Sequence, residues 1–305
     1  MVVNYQSIFQ HCAAAFLLFW GGGLIAQETL QVVTQNYQES IPFGLGTEVS
    51  IEGEKADVYL SSWDRNQVAV YLDLSSAHQD RRVAEQDLER MQHTMIQEGS
   101  KIIVRNYISK PEGGERPESM LKAKYTIILP ANCPVNLSNF FGSADVRDLQ
   151  NAVVINSEFC QLDLLNLRGQ ISISTRFGDI NGRQIAGNVQ IFSNRSNINL
   201  SEIQGVVNIK SRYGRIELDA QPENLDLAID AVRTDIVFNE PPVGYYSFLL
   251  RTQNGEIITP KEMNFQVRQL SADTQEALYN PGTTESEVKI HTTFGNIVIG
   301  PPLSN

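Results

Sequence analysis

Five oxygen-bearing side chains recur at one constant spacing along the chain: Asp145, Asp163, Asn181, Asn199 and Glu217. Carboxylate and amide oxygens suit hard cations such as calcium, and amides also match sugar hydroxyls as donors and acceptors. One such group per strand rung, about 4.8 Å apart, predicts a candidate cation- or carbohydrate-binding strip. The same row also reads as a solvated strand face with stacked Asn side chains, because calcium takes a ring of oxygens and a sheet face offers a row. A second recurring set is aromatic, comprising Phe141, Phe159, Phe177, Tyr213 and Phe294. Its positions share the parity of apolar core residues, so internal ring packing is expected rather than a sugar-stacking platform, with Arg195 capping the rings through a cation–π contact.

Other reactive groups are sparse. The histidines, His11, His78, His93 and His291, show no i,i+4 pairing, and no zinc pattern is present. Nucleophile-elbow, P-loop and dinucleotide fingerprints are absent. The expectation is therefore no catalytic residue, no metal site and no cofactor.

The elements that must carry the strip come from an ungapped repeat. Blocks of 18 from Val135 read VNLSNFFGSADVRDLQNA, VVINSEFCQLDLLNLRGQ, ISISTRFGDINGRQIAGN, VQIFSNRSNINLSEIQGV and VNIKSRYGRIELDAQPEN, covering 135–224. The first and third positions are Val, Leu or Ile. Apolar residues return at the tenth position and mostly at the twelfth, where Gly182 is the exception. Such alternation, bounded by Gly, Asn and Ser, predicts two short strands per coil with these columns inward. Gly142, Gly178 and Gly214 at the eighth position fit a corner that needs positive φ or close backbone stacking. A stacked-coil solenoid follows, because each unit buries its apolar face only against its neighbours.

Looser coils extend the pattern on both sides. Val49, Ile51, Val58 and Leu60 fall in the same columns, and Leu225–Val237, Tyr246–Ile257 and Val288–Ile299 read as later coils interrupted by 271–287. From His78 to Glu98 there is no Gly or Pro, and Val83, Met91 and Met95 fall near one face, which predicts one inserted amphipathic helix covering an open end. Lys110 to Ser119 reads as a polar loop.

Composition bounds the partners. Lys and Arg total 24 against 35 Asp and Glu, a net charge of −11, and the segment before Gln27 holds none of these types. A basic footprint for nucleic acid or anionic lipid is missing. Cys12 to Ile25 is an apolar run too short to span a bilayer and ends at Ala26-Gln27-Glu28, which predicts a secretory signal peptide over 1–26, no transmembrane span in the mature chain, and a single domain over 27–305. An exported compartment permits disulfides, but Cys133 and Cys160 lie one and a half coils apart, so no bridge is expected.

Taken with the apolar N-terminus, the segments VSIEGEKADVYLSSWDRNQVAVYL, KIIVRNYI, FGSADV, FGDING, YGRIEL and FGNIVI resemble the exported bacterial β-strand-repeat family of candidate adhesins, a domain of unknown function. The resemblance spans nearly all of the mature chain. It implies an all-β, single-stranded right-handed β-helix-like fold and export across the inner membrane, and it carries over no catalytic residue. Handedness comes from the resemblance alone, since coils of this length also suit a left-handed hexapeptide helix.

The expected function is an exported, non-enzymatic cell-envelope or surface protein, adhesin-like, presenting a solenoid face to a polysaccharide or an envelope protein in the periplasm, on the surface or outside the cell. The alternatives are a polysaccharide-cleaving β-helix enzyme and a periplasmic sensing or scaffold module. The enzyme would need Asp, Arg and Lys clustered on one outward face, whereas Arg168, Arg183 and Lys210 fall in different columns.

Overall fold

The computed structural model describes residues 29–110, 114–219, 224–282, 284 and 286–300. The expected signal peptide, with His11 and Cys12, lies outside the described residues. The first elements are β1 (Gln31–Pro42), β2 (Glu48–Trp63), β3 (Gln67–His78), α1 (Arg81–Leu88), β4 (Met91–Glu98), β5 (Lys101–Ile108) and β6 (Met120–Pro130). The repeat block forms β7 (Val135–Leu149), β8 (Val153–Arg176), β9 (Ile180–Asn194) and β10 (Ile198–Asp219), followed by β11 (Leu225–Asn239). The last strands are β12 (Ser247–Gln253), β13 (Ile257–Ile258), β14 (Gln266–Ser271), β15 (Thr274–Tyr279), β16 (Glu287–Thr293) and β17 (Ile297–Ile299). All 17 strands belong to one mixed sheet.

The sequence period is a strand register. Val135 pairs with Val153, Asp163 with Asn181 and Asn181 with Asn199, all in parallel. The same columns run into β2, where Val49 faces Val135 and Leu60 faces Val146. Ile155, Ile173 and Ile191 from the third column, and Ile180, Ile198 and Ile216 from the tenth, are all buried. Burial of each such side chain contributes about 1.5–3 kcal/mol. At Gly182 a Cβ would lie 2.6 Å from Leu200 Cδ2, so the leucine of the next coil fills the space the glycine leaves.

The fifth column is buried as well, and it is polar. Ser157 Oγ donates to Thr175 Oγ1 at 3.0 Å and Ser193 Oγ to Ser211 Oγ at 2.9 Å, while Asn139 Nδ2 donates to Ala56 O at 2.9 Å. Coil-to-coil bonding satisfies these hydroxyls and the Asn139 amide nitrogen inside the core, which is what makes their burial tolerable, while Asn139 Oδ1 is buried without a partner among the described residues. Cys160 occupies the eighth column and Cys133 follows β6; both are buried and unpaired, and burial pushes the Cys133 thiol up to about 12. The eighth-column glycines answer to close stacking: a Cβ at Gly178 would lie 1.9 Å from Cys160 O, and one at Gly214 2.1 Å from Ser196 O.

The expected helix over 78–98 is corrected. Only Arg81–Leu88 is helical, with Asp80 Oδ1 accepting from Arg82 N at its start, and Met91–Glu98 is a strand paired antiparallel with β5. Met91, His93 and Met95 alternate with Gln92, Thr94 and Gln97 around Ile96, a pattern that serves period 2 as well as a helix; pairing with β5 decides it. Both ends of the parallel stack are closed by antiparallel strands. At one end β5 and β6 lie parallel to the two halves of β2, and β4, β3 and β1 continue outward. At the other, β15 pairs antiparallel with β12, and β14 with β15.

The late coils do not stack in chain order. The coil of β16 and β17 lies directly on β11, with Ile229 facing Ile290 and Ile236 facing Ile297. The earlier coil of β12 and β13 then lies on β16 and β17.

Candidate functional site

The predicted strip faces outward on the second strand of each coil, opposite the buried tenth and twelfth columns. Asp163, Asn181 and Asn199 are exposed, and Asp145 and Glu217 half-buried. Its groups bond mainly to one another: Asn181 Nδ2 donates to Asp163 Oδ1 at 2.9 Å and Asn199 Nδ2 to Asn181 Oδ1 at 3.1 Å. At the ends, Arg147 holds Asp145 through two bonds of 2.5 Å and Arg215 donates to Glu217 at 2.6 Å. The row borders a shallow groove of about 350 Å³ with Leu164 and Leu165. Among the described residues, no three His, Cys, Asp or Glu side chains gather as metal ligands.

The aromatic column is a correction. Phe141, Phe159, Phe177, Tyr213 and Phe294 are not in the core but between 37% and 55% exposed. Each has positive φ, from 55° to 61°, and Arg195 and Arg233 in the same column are left-handed too, at 56° and 52°. A left-handed residue reverses the alternation of side chains, so counting by twos across the corner assigns the wrong face. The rings stack outside instead. Phe141, Phe159 and Phe177 lie 4.8 Å apart at interplanar angles of 10° and 3°. The expected Arg195 contact is present: its guanidinium lies 5.5 Å from the Phe177 ring and 5.7 Å from Tyr213, and Arg233 continues the ladder to Phe294. The faces of Phe159, Phe177 and Tyr213 are occupied by neighbouring rings and arginines, so these three offer edges to a ligand, where sugar stacking needs a ring face.

Two features carried weaker sequence signals. The first is the ninth column, where Asp179 Oδ1 accepts from Asn197 N at 2.7 Å and Asn197 Oδ1 from Arg215 N at 3.1 Å. Past the left-handed corner these amides take partners from the preceding coil, so the column's Asp and Asn are structural caps. The second is the outward face of the first strand, formed by the fourth and sixth columns. It holds a groove of about 850 Å³ running across several coils, lined by Ser138, Phe140, Asn156, Ser174, Phe192 and Asn194 with charged residues between them. Scanning each column alone separated residues that the strand places side by side.

These faces define a protein of stacked parallel strands with an extended outward groove. No family model and no curated protein matches the chain. Solved structures match the chain at low identity. A candidate adhesin from Bacteroides fragilis is 12% identical, over 89% of this chain and 97% of its own, with a TM-score of 0.44. A candidate cell adhesion protein from Clostridium sporogenes is 11% identical, over 87% and 99%, with a TM-score of 0.26. A candidate lipid-binding protein from Parabacteroides distasonis is 12% identical, over 88% and 97%, with a TM-score of 0.32. Among the described residues no helix is long and apolar enough to cross a membrane.

Proposed function

We propose that this chain is an exported, non-enzymatic binding protein, adhesin-like, whose right-handed β-helix-like solenoid presents the outer face of its first strands to a polysaccharide or an envelope protein. The observation that carries the reading is the 850 Å³ groove, long, outward and built from amide, hydroxyl and aromatic side chains on paired strands. Two of its three carboxylates are engaged: Glu158 accepts from Arg176 at 2.6 Å, and Asp230 lies 3.3 Å from His291, while Glu52 at the far end has no side-chain partner among the described residues. General acid–base work uses a pair of groups converging on the reacting atom; Glu158 and Asp230 are tied to neighbours, which leaves Glu52 alone. Export is supported by the apolar Cys12–Ile25 run with Ala26 at its end.

A panel of glycans and purified envelope proteins, probed with the mature chain, tests this. A ligand is expected to bind without being converted, and to be lost when Ser174→Trp fills the groove. Joint replacement of Asp163, Asn181 and Asn199 by Ala is expected to leave binding intact. Loss in that triple variant, with Ser174→Trp still binding, moves the site to the strip, and turnover of a glycan overturns the non-enzymatic reading.

A further inference from the structure

The proposed binding face is not uniform in charge. On a chain of net charge −11, it gathers Arg176, Lys210 and Arg212 toward one end, with Asp230 beyond them on β11, and Glu52 and Glu158 toward the other. Arg176 is held by Glu158. Lys210 and Arg212 have no carboxylate partner among the described residues, although Asp230 is the register neighbour of Lys210. They are two positions apart on β10 and both exposed, so they point to the same side with Cα atoms about 6.6–6.8 Å apart. The Lys210 ammonium lies 6.0 Å from the Phe192 ring centroid. Phe192 is 45% exposed and, unlike Phe141, Phe159 and Phe177, stacks on no other aromatic ring among the described residues. Asn194, Ser174 and Asn156 continue the groove from there.

We infer that this end of the groove is a saccharide site for a carboxylate-bearing glycan. Lys210 and Arg212 take the sugar carboxylate, Phe192 takes the C–H face of the adjoining sugar, and Ser174, Asn156 and Asn194 pair with hydroxyls. The inference rests on the binding reading above. A saccharide fits better than an acidic peptide for two reasons. The strands beneath the groove are paired on both sides, which leaves no backbone edge for a peptide strand to join. Amide and hydroxyl walls both donate and accept, as sugar hydroxyls do. The acidic far end opposes a continuous polyanion and favours carboxylates alternating with neutral sugars.

Titration calorimetry of the mature chain with a hyaluronan oligosaccharide, its carboxyl-methyl ester, a sialylated oligosaccharide and poly-glutamate tests this. Affinity is expected for a carboxylated glycan, in-chain uronate and terminal sialate being separated by the first and third probes. It should fall at least tenfold in the methyl ester, in the Lys210→Gln/Arg212→Gln double variant and in Phe192→Ala. Thermal melts matching the wild type establish that the variants are folded. Equal affinity for the ester or for poly-glutamate, an unaffected double variant, or no affinity for either carboxylated glycan overturns the inference. A neutral ligand lost in Ser174→Trp but kept in the double variant overturns the carboxylate assignment and leaves the binding face standing, whereas ligands all retained in Ser174→Trp remove the face itself.

Discussion

Phe177 shows how one backbone angle decides what a side chain does. Its φ of 57° turns a residue of core parity into a member of an external ladder, between Phe159 and Arg195. A bulky residue in the left-handed region carries a cost of about 1–2 kcal/mol, so the stacking must offset it. Asn tolerates that region far better than Ala. Phe177→Asn is therefore expected to be less destabilising than Phe177→Ala, by about 1 kcal/mol in urea unfolding; the reverse order would show that the left-handed corner is not what this position must satisfy. The recurrence of one ring per coil was legible in the sequence, but the side the rings take was not, because alternation carries across a corner only when the corner is extended. The strip from Asp145 to Glu217 was legible in position and outward direction. What composition could not show was that its amides satisfy each other along the row.

Elements at the two ends of the stack are where local pattern and tertiary pairing part company. Met91–Glu98 holds a run that serves either period, and the free edge of β5 makes it a strand. The hairpin of β14 and β15 performs the same covering task on β12, and it is tied down by charge. Glu276, 3% exposed, accepts from Arg251 at 2.5 Å and from Arg268 at 2.8 and 2.5 Å, and the two arginines hold its carboxyl below the usual range. A lowered folded-state pKa stabilises above the unfolded value of about 4.3, and the contribution disappears as pH falls through the lowered folded value. The hairpin is thus expected to lose protection in hydrogen exchange as pH falls below about 4.3. In Glu276→Gln the hairpin should be less protected at neutral pH and its protection should no longer fall across that window. An unchanged pH profile in the variant would assign the effect to other carboxylates.

At the scale of the whole molecule, the parallel stack from β7 to β11 follows the sequence period, because each coil is read off the one before it, while β2 lies between β7 and the strands β5 and β6 that precede β7 in the chain. The C-terminal coils break that logic. Each of them shows strand alternation, so their existence was legible, but their order depends on which coil best covers β11, a comparison no local pattern contains. The chain leaves β11 and builds β12 and β13, then returns to insert β16 and β17 between them, so Val232 faces Thr293 with the whole of 233–292 intervening in sequence. Closing so long a loop costs entropy before the pairing is gained. In a stack built in chain order, deleting the last coil trims the end and leaves its neighbours in place. Here deletion of 284–305 removes the coil in the middle. Hydrogen exchange on that truncated chain is expected to show fast exchange throughout 247–282, while 135–219 keeps its protection, since β12 loses its parallel partner and β15 and β14 are attached to the stack through β12. Retained protection of 247–282 would mean that β12 can dock on β11 directly, and that the inserted order is a preference between two nearly equal pairings rather than a requirement of the fold.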